Sequence, residues 1–175
     1  MDRYSILVLA LGNEIMGDDA VGIAAGRPLL ERFGEDISII AAPVAGFALI
    51  DFLEGYTHVL ILDSAVSGRY PVGSVIEFSK EEFHKIHSGS PHFIGIPEAL
   101  TIAEKLNVTF PRVIRVLAME IGGSQELREG LSAVIQRSLP NFVNKAAEVI
   151  NEWVEEVGAF KEFFERPETL DFEKE

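Results

Sequence analysis

The chain has no cysteine, which excludes disulfides, thiolate metal sites and a cysteine nucleophile. It is short of positive charge. Fifteen Lys and Arg stand against 28 Asp and Glu, for a net charge of −13 and a pI near 4.7. A nucleic-acid surface needs basic side chains to displace counterions from phosphates, so no nucleic-acid partner is expected. Long apolar runs are also missing. The first, Ile6–Leu11, is too short for a signal peptide or a membrane span, so a cytoplasmic protein without a membrane partner is expected, and a monomer.

What is present is apolar enough to fold: 175 residues, 47% hydrophobic, imply one domain with a sizeable core. Residues 1–158 read as a single α/β domain. Residues 159–175 read as an acidic tail, because nine acidic and three basic residues fall between Glu152 and Glu175. Ile6–Leu11 is continuous in apolar residues and His58–Asp63 is a further apolar strand that ends on a carboxylate, as strands covered on both faces read. Ile37–Ala41, Ser74–Phe78 and Val113–Met119 complete five strands, and Ser74–Phe78 follows a Pro-Gly turn closely enough to be antiparallel or an edge. Helices are expected over Ala20–Phe33, Phe47–Glu54, Pro97–Leu106 and about Leu131–Val157. Pro28 should kink or stop the first and Pro140 bend the last. The last helix should bury Leu139, Val143, Ala146, Ile150, Trp153 and Val157, a stripe of 3.6-residue period. Strand and helix alternate, so the fold class is α/β: a three-layer α/β/α sandwich with a mostly parallel five-stranded sheet.

The stretch Gly12–Asn13–Glu14–Ile15–Met16–Gly17–Asp18–Asp19–Ala20–Val21–Gly22 joins the first strand to the first helix. In an open α/β sheet the loop at the carboxyl end of a strand faces the ligand crevice. Here that loop carries acid. Its glycines do not follow the dinucleotide-binding spacing, and Asp18–Asp19 would repel a pyrophosphate at the helix N-terminus. Three positions converge in this reading: Asp19 opening the first helix, Asp63 ending the third strand, and His92 ending the polar segment Ser79–Pro91. Two carboxylates and an imidazole form an O/O/N ligand set that suits zinc or nickel better than calcium. Taken singly, Asp18 or Asp19 reads equally as a helix N-cap, Asp63 as an acceptor of backbone hydrogen bonds, and His92 as a solvated loop residue. Glu14 reads as the rim of the crevice and Glu120 as a further carboxylate along it. His84 and His87 read as surface residues, and Arg69, Arg112 and Arg115 as ordinary surface ion pairs. Ser64 lacks the Gly-x-Ser-x-Gly elbow of a serine nucleophile.

The Gly12–Gly22 stretch resembles the signature of the hydrogenase maturation endopeptidases of the HybD/HycI type. Ile61–Leu62–Asp63–Ser64–Ala65 resembles their second motif and Ser90–Pro91–His92 their third, in the same order and at similar spacing. The resemblance implies an endopeptidase that removes the C-terminal extension of a nickel–iron hydrogenase large-subunit precursor after nickel insertion. It places Asp19, Asp63 and His92 on the metal-contacting positions. It also implies that the nickel arrives with the substrate, so no resident cofactor is expected. The segment Ala41–Gly46 lacks the Asp and Thr that many members carry as Asp-Gly-Gly-Thr, which points to a different precursor.

Hydrolysis then takes one of two routes. Either a bound divalent ion activates water and polarises the carbonyl, or the metal only positions the substrate while Asp18 or Asp19 acts as general base. Two other functions fit parts of the pattern. A non-enzymatic nickel-binding assembly factor would use the same trio. A peptidyl-tRNA hydrolase shares Leu11–Gly12–Asn13 but needs a Thr-Arg-His-Asn segment and a basic face, both missing here.

Overall fold

The computed structural model describes residues 5–44, 48–79, 110–123 and 127–165, of which 79 and 157–165 are described in backbone only. The strands are β1 (Ile6–Leu11), β2 (Ser38–Ala42), β3 (His58–Ala65), β4 (Val75–Ser79) and β5 (Val113–Glu120). The helices are α1 (Val21–Phe33), α2 (Leu49–Leu53) and α3 (Ala133–Glu165), and a 3-10 turn, Gly17–Ala20, leads into α1. The expected helix at Pro97–Leu106 lies outside the described residues.

One five-stranded sheet runs in the order β2-β1-β3-β5-β4. All neighbours are parallel except β4, which pairs antiparallel with β5 at the edge. β1 has β2 on one side and β3 on the other, so the chain order reverses between β1 and β3. That reversal opens a crevice at the carboxyl ends of these two strands, where α/β sheets bind ligands.

Alternation along β1 and β3 divides the core. Ile6, Val8, Leu60 and Leu62 face α1 and α3, where they meet Val21, Leu29, Phe142, Ala146 and Trp153. Leu7, Leu9, Leu11, Val59 and Ile61 face the other side with Leu49 and Leu53 of α2. Both faces are covered, which explains strands apolar at every position.

Of the expected stripe of α3, Ala146, Ile150 and Trp153 are buried and Leu139 and Val143 sit at its margin, partly buried; Ile135, Phe142 and Val149 are buried as well. The helix begins at Ala133, so Ile135 already lies in its first turn, and the buried face is wider than the one the sequence suggests. Val157 is outside the described side chains. Pro28 does not stop α1, which runs on to Phe33, and α3 continues through Pro140 to Glu165, beyond Val157 and into the expected tail. Both prolines are exposed, on faces where water satisfies the carbonyl that the missing N–H leaves unpaired.

α1 is pressed onto the sheet by two glycines. A Cβ at Gly22 would overlap the carbonyl oxygens of Leu11, the last residue of β1, and Leu62, three residues before the end of β3. Gly12, at φ +148°, lies so close to the returning chain that a Cβ there would overlap the Asp19 carbonyl. Gly22→Ala is therefore expected to cost about 1–3 kcal/mol by overpacking, lowering Tm by about 2–12 °C in a chain of this length. A thermal melt of the variant measures this; an unchanged Tm would show that the helix stands off the strands.

At the opposite, amino-terminal end of β3, His58 is buried against Trp153, ring centroids 5.2 Å apart, with Nδ1 3.0 Å from Thr57 Oγ1. Burial pushes the His58 imidazole below its ordinary value against the pull of Glu156, and Arg112 adds to the lowering. The unfolded chain then takes up a proton below about pH 6.5 that the native protein refuses, so stability falls as pH drops from about 7 to 5. Urea midpoints at pH 7.5 and 5.5 should converge in His58→Gln relative to wild type; an equal drop in both would remove His58 as the cause.

Candidate functional site

The loop after β1 meets β3 at the crevice, and β3 runs two residues past Asp63, to Ala65, instead of ending on the carboxylate as expected. Asp19 is 4% exposed and Asp63 fully buried, and Ser64 lies between them. The Ser64 hydroxyl donates to Asp19 Oδ1 at 2.7 Å, and the Ser64 N–H donates to Asp63 Oδ1 at 2.7 Å. Two carboxylates separated by 44 positions in the chain thus share one residue as donor. The local cause is the fold itself: β1 and β3 are paired in register Ala10↔Leu62, and the glycine-permitted turn carries Asp19 back over the strand ends.

Asp18 and Asp19 are adjacent but serve different neighbours. Neither caps a helix through its side chain: the residues before the 3-10 turn and before α1 are Met16 and Ala20, without side-chain cap bonds. Asp18 reaches across to the start of α3, where its Oδ1 accepts from the Ser132 N–H at 2.5 Å and from Arg128 Nη2 at 3.3 Å. The same segments are zipped by backbone bonds, Gly17 N–H to Arg128 O at 2.7 Å and Arg128 N–H to Ile15 O at 3.1 Å. The acidic loop is therefore clipped to the chain entering α3.

Glu14 is exposed and pairs with Arg27 of α1, at the rim as expected. With Ile15, Leu131 and Leu139 these two residues line a groove of about 590 Å³ between the loop, α1 and the start of α3. Glu120 shares the carboxyl edge of the sheet, in register with Ala65, and its carboxylate is turned to the chain that follows β3. It accepts from the N–H and hydroxyl of Ser67 at 2.8 and 2.6 Å and from the Gly68 N–H at 2.7 Å, holding the turn after β3. Arg115 pairs with Glu77 and Glu152, three positions toward the amino end of β5 from the register partner of Asp63. Arg112 is exposed at that same amino end and Arg69 is exposed in the turn after β3. His92, His84 and His87 lie outside the described residues. Among the described residues no three His, Asp or Glu side chains cluster as a metal site. Asp19 and Asp63 supply two hard oxygen donors on one edge, a set that fits a divalent cation once a third donor joins it. Among the described residues no helix is long and apolar enough to cross a membrane.

Sequence reasoning did not find the roles of Ser64, Glu120 and Asp18. The Ser67–Gly68 pair just after a strand was a turn signal within reach of Glu120, but nothing in the sequence announces the bond from Ser64 to Asp19.

The family model described as hydrogenase maturation protease (HycI) matches residues 28–149, well over half the chain. This chain belongs to the hydrogenase maturation protease family. The matched span takes in Asp63 and His92 and begins after Asp19. Hydrogenase 2 maturation protease of Escherichia coli K12 is 24% identical to this protease over 151 residues, 84% of this chain and 91% of that one. Protein FrxA of Pyrococcus furiosus is 31% identical over 144 residues, 78% of this chain and 98% of that one. The solved structure of the hydrogenase maturating endopeptidase HybD from E. coli matches with a TM-score of 0.71 at 22% identity, covering 85% of this chain and 93% of that one, a likeness of fold. The protease is thus a processing endopeptidase by family, built on the HybD-like α/β sheet.

The two acidic neighbours should separate on mutation. Asp18→Ala removes charge-assisted bonds that tie the loop to α3, at a cost of about 1.5–3 kcal/mol. Denaturant unfolding of the variant checks this, and a midpoint equal to wild type would mean that the clip adds nothing to stability.

Proposed function

We propose that this protease removes the C-terminal extension of a nickel–iron hydrogenase large-subunit precursor after nickel insertion, and that Asp19, Asp63 and His92 contact the nickel that the precursor carries. The observation that supports this most is the pairing of Asp19 and Asp63 at the point where strand order reverses, through the shared donor Ser64. Membership of the family supplies the reaction class. His92 completes an O/O/N set suited to nickel or zinc.

The nickel acts as a recognition handle that brings the scissile peptide to the crevice, so that positioning supplies much of the rate. A carboxylate of the Asp18–Asp19 pair takes the proton of the attacking water. Asp19 is the better placed of the two, because it is joined to the Asp63 end of the crevice through Ser64, whereas Asp18 Oδ1 ties the loop to Ser132 and Arg128. The segment after β2, Ala41–Gly46, lacks the Asp and Thr of many members, so the precursor served differs from theirs. The protease works in the cytoplasm, as a monomer.

Asp63→Asn keeps the shape of the side chain and removes its charge. Nickel-dependent cleavage of the precursor, read from the mass of its C-terminus, should fall by at least about 100-fold, since a ligand is lost from a set of three. The apo variant should stay folded, because two carboxylates brought together without a cation repel one another. Cleavage at the wild-type rate by a folded Asp63→Asn protein would overturn the assignment.

A further inference from the structure

We infer that Ser64 is a positioning residue that sets Asp19 and Asp63 in place before the cation arrives. This rests on the proposal that the two carboxylates contact metal. Ser64 is 1% exposed and lies inside the sheet edge, one position past Asp63 in β3. Its two donors are divided, the N–H on Asp63 and the hydroxyl on Asp19, each at 2.7 Å.

The hydroxyl bond is the informative one. The N–H bond to Asp63 spans adjacent residues, whereas the hydroxyl bond joins positions 45 apart, from β3 to the loop after β1. A backbone N–H would be present whatever residue stood at 64; the hydroxyl is specific to Ser or Thr. Like charges gathered about one residue repel, and the two Ser64 donors offset part of that repulsion. Each bond holds Oδ1 of its carboxylate and so restrains rotation about the Cβ–Cγ bond. The donor directions then exist in the free protein instead of forming when the ion binds. Outer partners of this kind typically change metal affinity by about 10–100-fold when removed.

A strut that merely stabilised the fold would lower Tm and leave metal affinity alone, so affinity is the deciding quantity. Calorimetric titration of the full-length apo protein with Zn²⁺ and with Ni²⁺ compares wild type, Ser64→Ala, Ser64→Thr and Asp63→Asn. The expected result is a folded Ser64→Ala protein binding about 10–100-fold more weakly, with affinity near wild type in Ser64→Thr. Ser64→Ala affinity within about threefold of wild type, with binding lost in Asp63→Asn, would overturn the role of Ser64 and leave the carboxylate contact standing. Wild-type protein that binds neither ion would overturn both. A Ser64→Ala protein that does not fold would show a strut and overturn the positioning role.

Discussion

The close seat of α1 on β1 and β3 is the constraint on which the site depends. Gly22 lets the first turn of the helix press against the carbonyls of Leu11 and Leu62, and Gly12 lets the loop double back beneath it. The loop between them has no room to drift, and Asp19 is delivered to the carboxyl edge beside Asp63. The contact also fixes the apolar face of α1, so Val21, Ala25 and Leu29 pack with Val8 and Leu62 in one cluster. Packing and chemistry are set by the same few ångströms of backbone.

Around that contact, buried polar groups are divided between the two ends of the sheet. The carboxyl edge carries Asp19, Asp63 and Glu120, and each accepts hydrogen bonds, Asp63 from its neighbour in sequence and the other two from residues 45 and 53 positions away. The amino end carries His58 and Trp153, with the part-buried Arg115 bridging Glu77 to Glu152. Buried carboxylates are tolerated only where donors meet them. Glu120 meets its donors in a turn and is consumed by structure. Asp19 and Asp63 take theirs from one residue, Ser64, which ties the loop after β1 to β3.

Much of this was legible in the sequence. The five strands, the antiparallel edge and the approach of Asp19 to Asp63 follow from apolar runs, turn residues and the rule that ligands bind where strand order reverses. The exact face of α3 was not legible, because a helix that packs on both a sheet and α1 buries a wide stripe. Leu139 and Phe142 both fit a 3.6-residue period, and only the position of the helix selects Phe142. The partners of Asp18 and Glu120 were hidden for another reason. Their donors, Ser132 and Ser67, are ordinary polar residues 114 and 53 positions away, and no local pattern marks such a pair. Ser64 was judged only as a nucleophile, a question that its neighbours in sequence answer; its bond to Asp19 is a question of topology.

The clip between Asp18 and Ser132 also orders events in time. It joins residues 114 apart, so it cannot close on the ribosome until the chain beyond position 132 has emerged. A nascent chain holding β1, α1 and β3 has the material for the carboxylate pair but lacks the segment that anchors the loop carrying Asp18 and Asp19. Contacts of long sequence separation form late because their loop entropy must be overcome first. The acidic loop is therefore among the last parts of the protein to reach its final place, and a chain released short of α3 carries that loop unanchored.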